Sequence, residues 1–259
     1  MTPTLNFDIK GTGKPIVFLN GFYETREVWS QFITPIKSQY KTICIDLPGF
    51  GASQALENTT IESVADTVYE NLRSMKIDNF IIVGHSLGGY VALAIAEKYP
   101  DSISGLCMFN STAFEDNEDK KVMRNKTITY LQEHGVESFL KPFVPPLFYP
   151  LTRKKFESQI SEIIKNGLGL KSENIQAYVE AMRDRPDRTH VLKNAKYPVL
   201  YIIGKNDNAV PLQNSIDQCY FAEKSYNLIL GNAAHMCMFE KEKESQNMIL
   251  YFANECLNP

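Results

Sequence analysis

The run Asn79-Phe80-Ile81-Ile82-Val83-Gly84-His85-Ser86-Leu87-Gly88-Gly89 constrains this chain more than any other stretch. Apolar residues lead into it and the small-residue segment Gly88–Ala96 leads out, so a strand has to turn sharply into a helix at Ser86. A turn that tight forces its central residue into a strained backbone conformation and lifts the side chain clear of the sheet. Gly84 and Gly88 flank it because a Cβ at either place would collide with the turn. The helix that begins there aims backbone N–H groups at whatever Ser86 attacks. A glycine-rich strand–helix corner with an incidental serine uses the same residues, so the remainder of the chain has to decide between the two.

Short apolar runs alternate with amphipathic stretches along most of the sequence, the pattern of a mostly parallel sheet covered by helices. The expected strands are Leu5–Ile9, Ile16–Leu19, Thr42–Ile45, Phe80–Val83, Gly105–Phe109, Val199–Ile203 and Tyr226–Leu230. Most are too continuously apolar to have a wet face, as strands buried on both sides should be. Between Ile61 and Met75 the apolar residues fall on one helical face, and Thr59 with Glu62 forms a capping-box pattern ahead of it. Gly11–Lys14 reads as a hairpin turn and lacks the serine or threonine of a phosphate-binding loop.

From about Thr112 to His190 the alternation gives way to helical spacing throughout. An all-helical insertion at residues 113–190, between core segments 1–112 and 191–259, reads as a lid over the strand ends, where open α/β sheets bind ligands. Its basic and acidic residues nearly balance, so it announces no charged substrate. Within it, Phe143 to Leu151 is rich in proline and aromatics. That run is either an apolar wall above Ser86 or a connector packed between lid helices.

With 259 residues, 44% of them hydrophobic, and a net charge of −3, the chain has an ordinary globular composition. It carries no basic excess of the kind nucleic-acid partners require. No apolar run approaches a membrane span, and the first residues lack a secretory pattern. Five scattered cysteines suit reduced thiols in the cytoplasm better than a disulfide framework. Neither a metal nor another cofactor is called for by any ligand spacing.

A serine nucleophile needs a base, and the base needs an orienting carboxylate. Among the four histidines, His85 is turned away by the elbow, while His134 and His190 fall in the insertion or at its exit. His235, in the loop after the last strand, is the expected base. Asp207, just after the strand Val199–Ile203, is the expected acid, although a solvated turn former would occupy the same position. The loop Asn110-Ser111-Thr112 offers no carboxylate.

The order Ser86, Asp207, His235, with Gly-x-Ser-x-Gly after a central strand, resembles the α/β-hydrolase fold family. The likeness extends to PIVFLNGF near the start, DLPGFGAS from Asp46 and AAHMCMFE around His235. It implies an eight-stranded, mostly parallel sheet flanked by helices, with Ser86, Asp207 and His235 as the triad. It also implies an oxyanion hole from the backbone N–H groups of Leu87 and Phe22. Tyr23, Phe143, Leu147, Phe148 and Met236 are the expected substrate-binding side chains. Where family members usually carry His-Gly, this chain has Asn20-Gly21, so the bonding that holds the Phe22 loop should differ. The implied activity is hydrolysis of a carboxylic ester, thioester or lactone in a small to medium, mainly apolar molecule, through an acyl-enzyme. The same fold also hosts triad-dependent lyases, carbon–carbon hydrolases and ligand receptors without turnover, and nothing in the elbow separates them.

Overall fold

The computed structural model describes residues 2–257. Its seven strands are β1 (Phe7–Lys10), β2 (Pro15–Leu19), β3 (Lys41–Ile45), β4 (Phe80–His85), β5 (Ile103–Phe109), β6 (Val199–Gly204) and β7 (Ser225–Leu230). They form one sheet in the order β1-β3-β2-β4-β5-β6-β7, parallel except for β1, which runs antiparallel to β3. The central strands β4 and β6 are buried along their whole length, as their unbroken apolar sequences require.

Two expectations fail at the β1 edge. The sheet has seven strands among the described residues, where the family resemblance implied eight. The segment ahead of β1 bonds instead to the loop after β3, through Thr4 N–H to Gln54 Oε1 at 2.9 Å and Asn6 N–H to Ser53 Oγ at 2.8 Å. Nor is Gly11–Lys14 a hairpin turn. Gly11 and Gly13 do take positive φ, but β3 lies between the two strands they join.

Helix α1 (Ile61–Ser74) buries Ile61, Val64, Ala65, Val68 and Leu72 on one face. Its capping box is one residue later than the sequence pattern suggested. The Thr60 hydroxyl accepts from Ser63 N–H at 3.0 Å, and Thr60 N–H donates to Ser63 Oγ at 2.9 Å. The register that buries the apolar face leaves Thr59 outside the helix, so burial overrides the local motif.

Helix α2 (Leu87–Lys98) follows β4 directly and lies against the sheet with Leu87 through Ala96 all buried. Between β5 and β6 come α3 (Glu118–Phe143), α4 (Glu157–Leu168), α5 (Ser172–Asp184) and the short α6 (Thr189–Lys193). Gly135, at φ 74° and ψ 174°, breaks α3 into two pieces. That conformation is open almost only to glycine. The insertion is tied to the loop after β3, where the Tyr178 ring packs at a tilt against Phe50, centroids 4.4 Å apart, and its hydroxyl donates to the Pro48 carbonyl at 2.9 Å. Helices α7 (Leu212–Gln218), α8 (Cys237–Glu240) and α9 (Glu242–Leu257) complete the fold. Among the described residues no helix is long and apolar enough to cross a membrane.

Candidate active site

Ser86 sits at φ 50° and ψ −115° between β4 and α2, a region that costs a non-glycine residue about 1–3 kcal/mol. Neighbouring strands hold it there. Its N–H donates to the Phe109 carbonyl at 3.0 Å, and its own carbonyl accepts from Ser111 Oγ at 2.7 Å. A Cβ on Gly84 would strike the backbone of Gly88, and one on Gly88 would strike the Leu19 carbonyl. Both glycines of the elbow are therefore required by contact. The Ser86 hydroxyl has no hydrogen-bond partner among the described residues and faces a cavity.

The loops after β6 and β7 bring Asp207 and His235 to that cavity. Asp207 Oδ2 lies 2.8 Å from His235 Nδ1 and accepts from Asn110 Nδ2 at 3.0 Å. Its other oxygen accepts from the N–H groups of Ala209 and Val210 at 2.8 and 3.0 Å. Burial pushes this carboxyl up, but His235 and the surrounding donors outweigh it and hold it below the ordinary carboxylate range. An ionised Asp207 can only accept, so His235 Nδ1 is the donor and its Nε2 is left free to take a proton. Burial would lower the His235 pKa, yet the facing carboxylate prevails and raises it above the ordinary histidine value. The His235 backbone N–H donates to the Leu147 carbonyl at 2.9 Å, which ties this residue to the insertion.

His85 points away from Ser86, as the elbow requires. Its Nδ1 lies 2.9 Å from Glu24 Oε2 and its Nε2 3.0 Å from the His235 carbonyl. Glu24 Oε2 also accepts from Gly21 N–H at 2.6 Å. Asn20 donates through Nδ2 to the Gly21 and Glu24 carbonyls at 3.2 and 2.6 Å. The Asn20-Gly21 departure is thus accommodated by a buried Asn20–Glu24–His85 network that shapes the loop carrying Phe22.

The cavity measures about 60 Å³ and contains Ser86 and His235 in one lining with Phe22, Tyr23, Phe143 and Leu147. Two expected substrate contacts are elsewhere. Phe148 is fully buried between Phe156 and Phe239, with ring centroids at 5.7 and 6.1 Å. Met236 is likewise fully buried and absent from the lining. The run from Phe143 therefore serves both readings. Its first part walls the cavity, and the aromatic after Leu147 turns inward as a packed connector.

A model of the alpha/beta hydrolase fold family matches residues 14–141. A thermophilic esterase from Thermogutta terrifontis superposes with a TM-score of 0.92 at 25% identity, over 98% of this chain and 94% of that one. This chain is an α/β hydrolase. Curated relatives include pimeloyl acyl-carrier-protein methyl ester esterase of Vibrio cholerae, 24% identical over 96% of this chain and 98% of that protein. Another is (E)-2-((N-methylformamido)methylene)succinate hydrolase of Acinetobacter baylyi, 22% identical over 95% of this chain and 92% of that protein.

Three residues at or behind the cavity could not be assigned a place from the sequence. Asn110, at φ 46°, bridges Asp207 Oδ2 and the Ala234 carbonyl. Glu24 clamps the loop before Phe22. Arg124 lines the cavity from α3. Asn110 had a signal, since asparagine directly after a strand favours the left-handed region, but that signal does not say which groups its side chain meets. Glu24 and Arg124 carry no spacing signature, because each meets the site only through tertiary packing.

Proposed function

We propose that this α/β hydrolase cleaves a carboxylic ester, or a related thioester or lactone, of a small molecule through an acyl-enzyme on Ser86. The observation that carries the reading is the cavity shared by Ser86 and His235, with the imidazole oriented by Asp207 at 2.8 Å. His235 Nε2 takes the Ser86 proton as Oγ attacks the carbonyl carbon. Asp207 holds the tautomer and stabilises the resulting imidazolium. The backbone N–H groups of Leu87, at the start of α2, and Phe22 take the negative charge of the tetrahedral oxygen. A lost oxyanion donor costs about 3 kcal/mol. His235 then returns its proton to the departing alcohol. Water, activated by the same imidazole, releases the acid and regenerates Ser86.

Residues 113–190 act in this reading as a cap whose inner surface sets which acyl group fits. Labelling with a fluorophosphonate probe tests the reading. Wild-type protein is expected to label at Ser86 and to hydrolyse short-chain p-nitrophenyl esters, while Ser86→Ala does neither. Equal labelling of both proteins removes Ser86 as nucleophile. Labelling without turnover of any ester favours a lyase or carbon–carbon hydrolase on the same residues.

A further inference from the structure

Arg124 enters the cavity beside Ser86 with most of its hydrogen-bonding capacity unused. Its Nε–H donates to Asp116 Oδ2 at 3.0 Å, the one hydrogen bond it makes among the described residues. Asp116 follows β5 on the loop leading to α3, and its side chain is completely buried. A second guanidinium, that of Arg185, lies 2.8 Å from the other oxygen of Asp116. Arg185 is fully engaged, donating to the Met182 and Phe114 carbonyls and stacking on the Tyr90 ring at 3.9 Å. Burial pushes the Asp116 carboxyl up, but Arg185 and Arg124 prevail and hold it below the ordinary range. Two permanent cations thus share one anion, and one positive charge is left over. The terminal nitrogens of Arg124 form the part of that cluster which has no partner.

The other charged groups at the cavity do not absorb the surplus. Glu24 also lines it, but its Oε2 is held by Gly21 N–H and faces His85. Asp207 is buried behind His235 with both oxygens engaged. A cation with a free planar fork, in a cavity otherwise walled by Phe22, Tyr23, Tyr90, Phe143 and Met182, is built to receive a carboxylate in two parallel hydrogen bonds.

We propose that Arg124 reads a carboxylate on the substrate, so that the acyl bond presented to Ser86 belongs to a short molecule carrying a second, free acid group. Arg124 and Ser86 line the same cavity, so one small molecule can present its acyl bond and its acid group to both. This deepens the serine-hydrolase reading and rests on it for the chemistry, though anion binding itself does not need turnover.

The test compares monomethyl succinate with its neutral isostere methyl succinamate. Wild type is expected to favour the anion by about 10- to 100-fold in kcat/KM, the range for a hydrogen bond to a charged group. Arg124→Met is expected to bring that ratio close to one. Arg124→Lys, which keeps a charge against Asp116 but loses the fork, is expected to fall between the two. A wild-type ratio at or below one, or a ratio that neither variant changes, overturns the proposal. Calorimetry with Ser86→Ala separates binding from chemistry. Monomethyl succinate is expected to bind at least about tenfold more tightly to Ser86→Ala than to the Ser86→Ala, Arg124→Met double variant. If that difference holds while wild type hydrolyses no ester, the anion site stands and the hydrolase reading falls. If wild type hydrolyses the neutral ester and binding ignores Arg124, the reverse is true.

Discussion

The sheet and the helical insertion handle buried charge in opposite ways. At the ends of β4, β6 and β7, Asp207 has both oxygens engaged and His235 has one nitrogen committed, so only Nε2 is left to act. Across the cavity, the insertion and the loop leading to it set two guanidiniums against one carboxylate and leave Arg124 half unpartnered. A reaction centre works when its groups are fixed before substrate arrives. A recognition surface works when something remains to be satisfied by the substrate. In the proposed function the sheet supplies the first and the insertion the second.

The sharpest way to break this contrast is at Asp207. Asp207→Asn is expected to lower kcat by about 10⁴, because the amide can present a donor to Nδ1 and stabilise the wrong tautomer. Stopped assays with an active-site titrant would measure it. A loss of less than tenfold would mean that the saturated carboxylate is merely structural.

Glycines in the two regions sharpen the contrast. Gly84→Ala forces a Cβ into the Gly88 backbone and is expected to cost about 2–3 kcal/mol in denaturant unfolding. Gly135→Ala meets nothing within 4 Å, so only its backbone conformation resists, at about 1 kcal/mol. It should alter KM more than kcat, since Gly135 orients the piece of α3 that carries Phe143. Equal destabilisation by the two changes would erase the distinction between a rigid sheet and an adjustable cap.

The smallest effect is in pH. In the proposed mechanism His235 must be neutral to accept the Ser86 proton, and its pKa is raised above the ordinary 6.5 by Asp207. kcat/KM is therefore expected to fall as pH drops through a midpoint above 6.5. In Asp207→Asn the burial that lowers the pKa is opposed only by the Glu24 carboxylate, so the imidazole should titrate below its wild-type midpoint by NMR. A midpoint indifferent to the substitution would remove Asp207 as the cause.

What was legible in the sequence divides along the same line. Strands buried on both faces had to be continuously apolar, and a turn as tight as Gly84–Gly88 had to be glycine-rich, so the sheet and Ser86 could be read from local chemistry. Asp207 and His235 could be assigned to one edge because strand ends converge there, and the structure sets them 2.8 Å apart. Arg124 was hidden by the near-neutral charge balance of the insertion, since a local surplus depends on which side chains meet. Phe148 was indistinguishable from Phe143 by composition, yet one faces the core and the other the cavity. The capping box of α1 slipped by one residue because burial of Ile61 and Val64 outweighs a local motif. The eighth strand came from resemblance alone, and the segment before β1 bonds to a loop instead.

The bridge from Glu24 through His85 to the His235 carbonyl has a consequence for how the site can fail. Residues 24, 85 and 235 lie on three separate loops or strand ends, yet one imidazole spans them, and it belongs to the residue next to Ser86. The elbow, the His235 loop and the loop bearing Phe22 are therefore linked in a chain through one imidazole, so that a shift of His85 is felt by both loops. Heat or denaturant should find no intermediate in which the serine is poised and its base is lost. The machinery should vanish as a unit, at the moment the strand ends part.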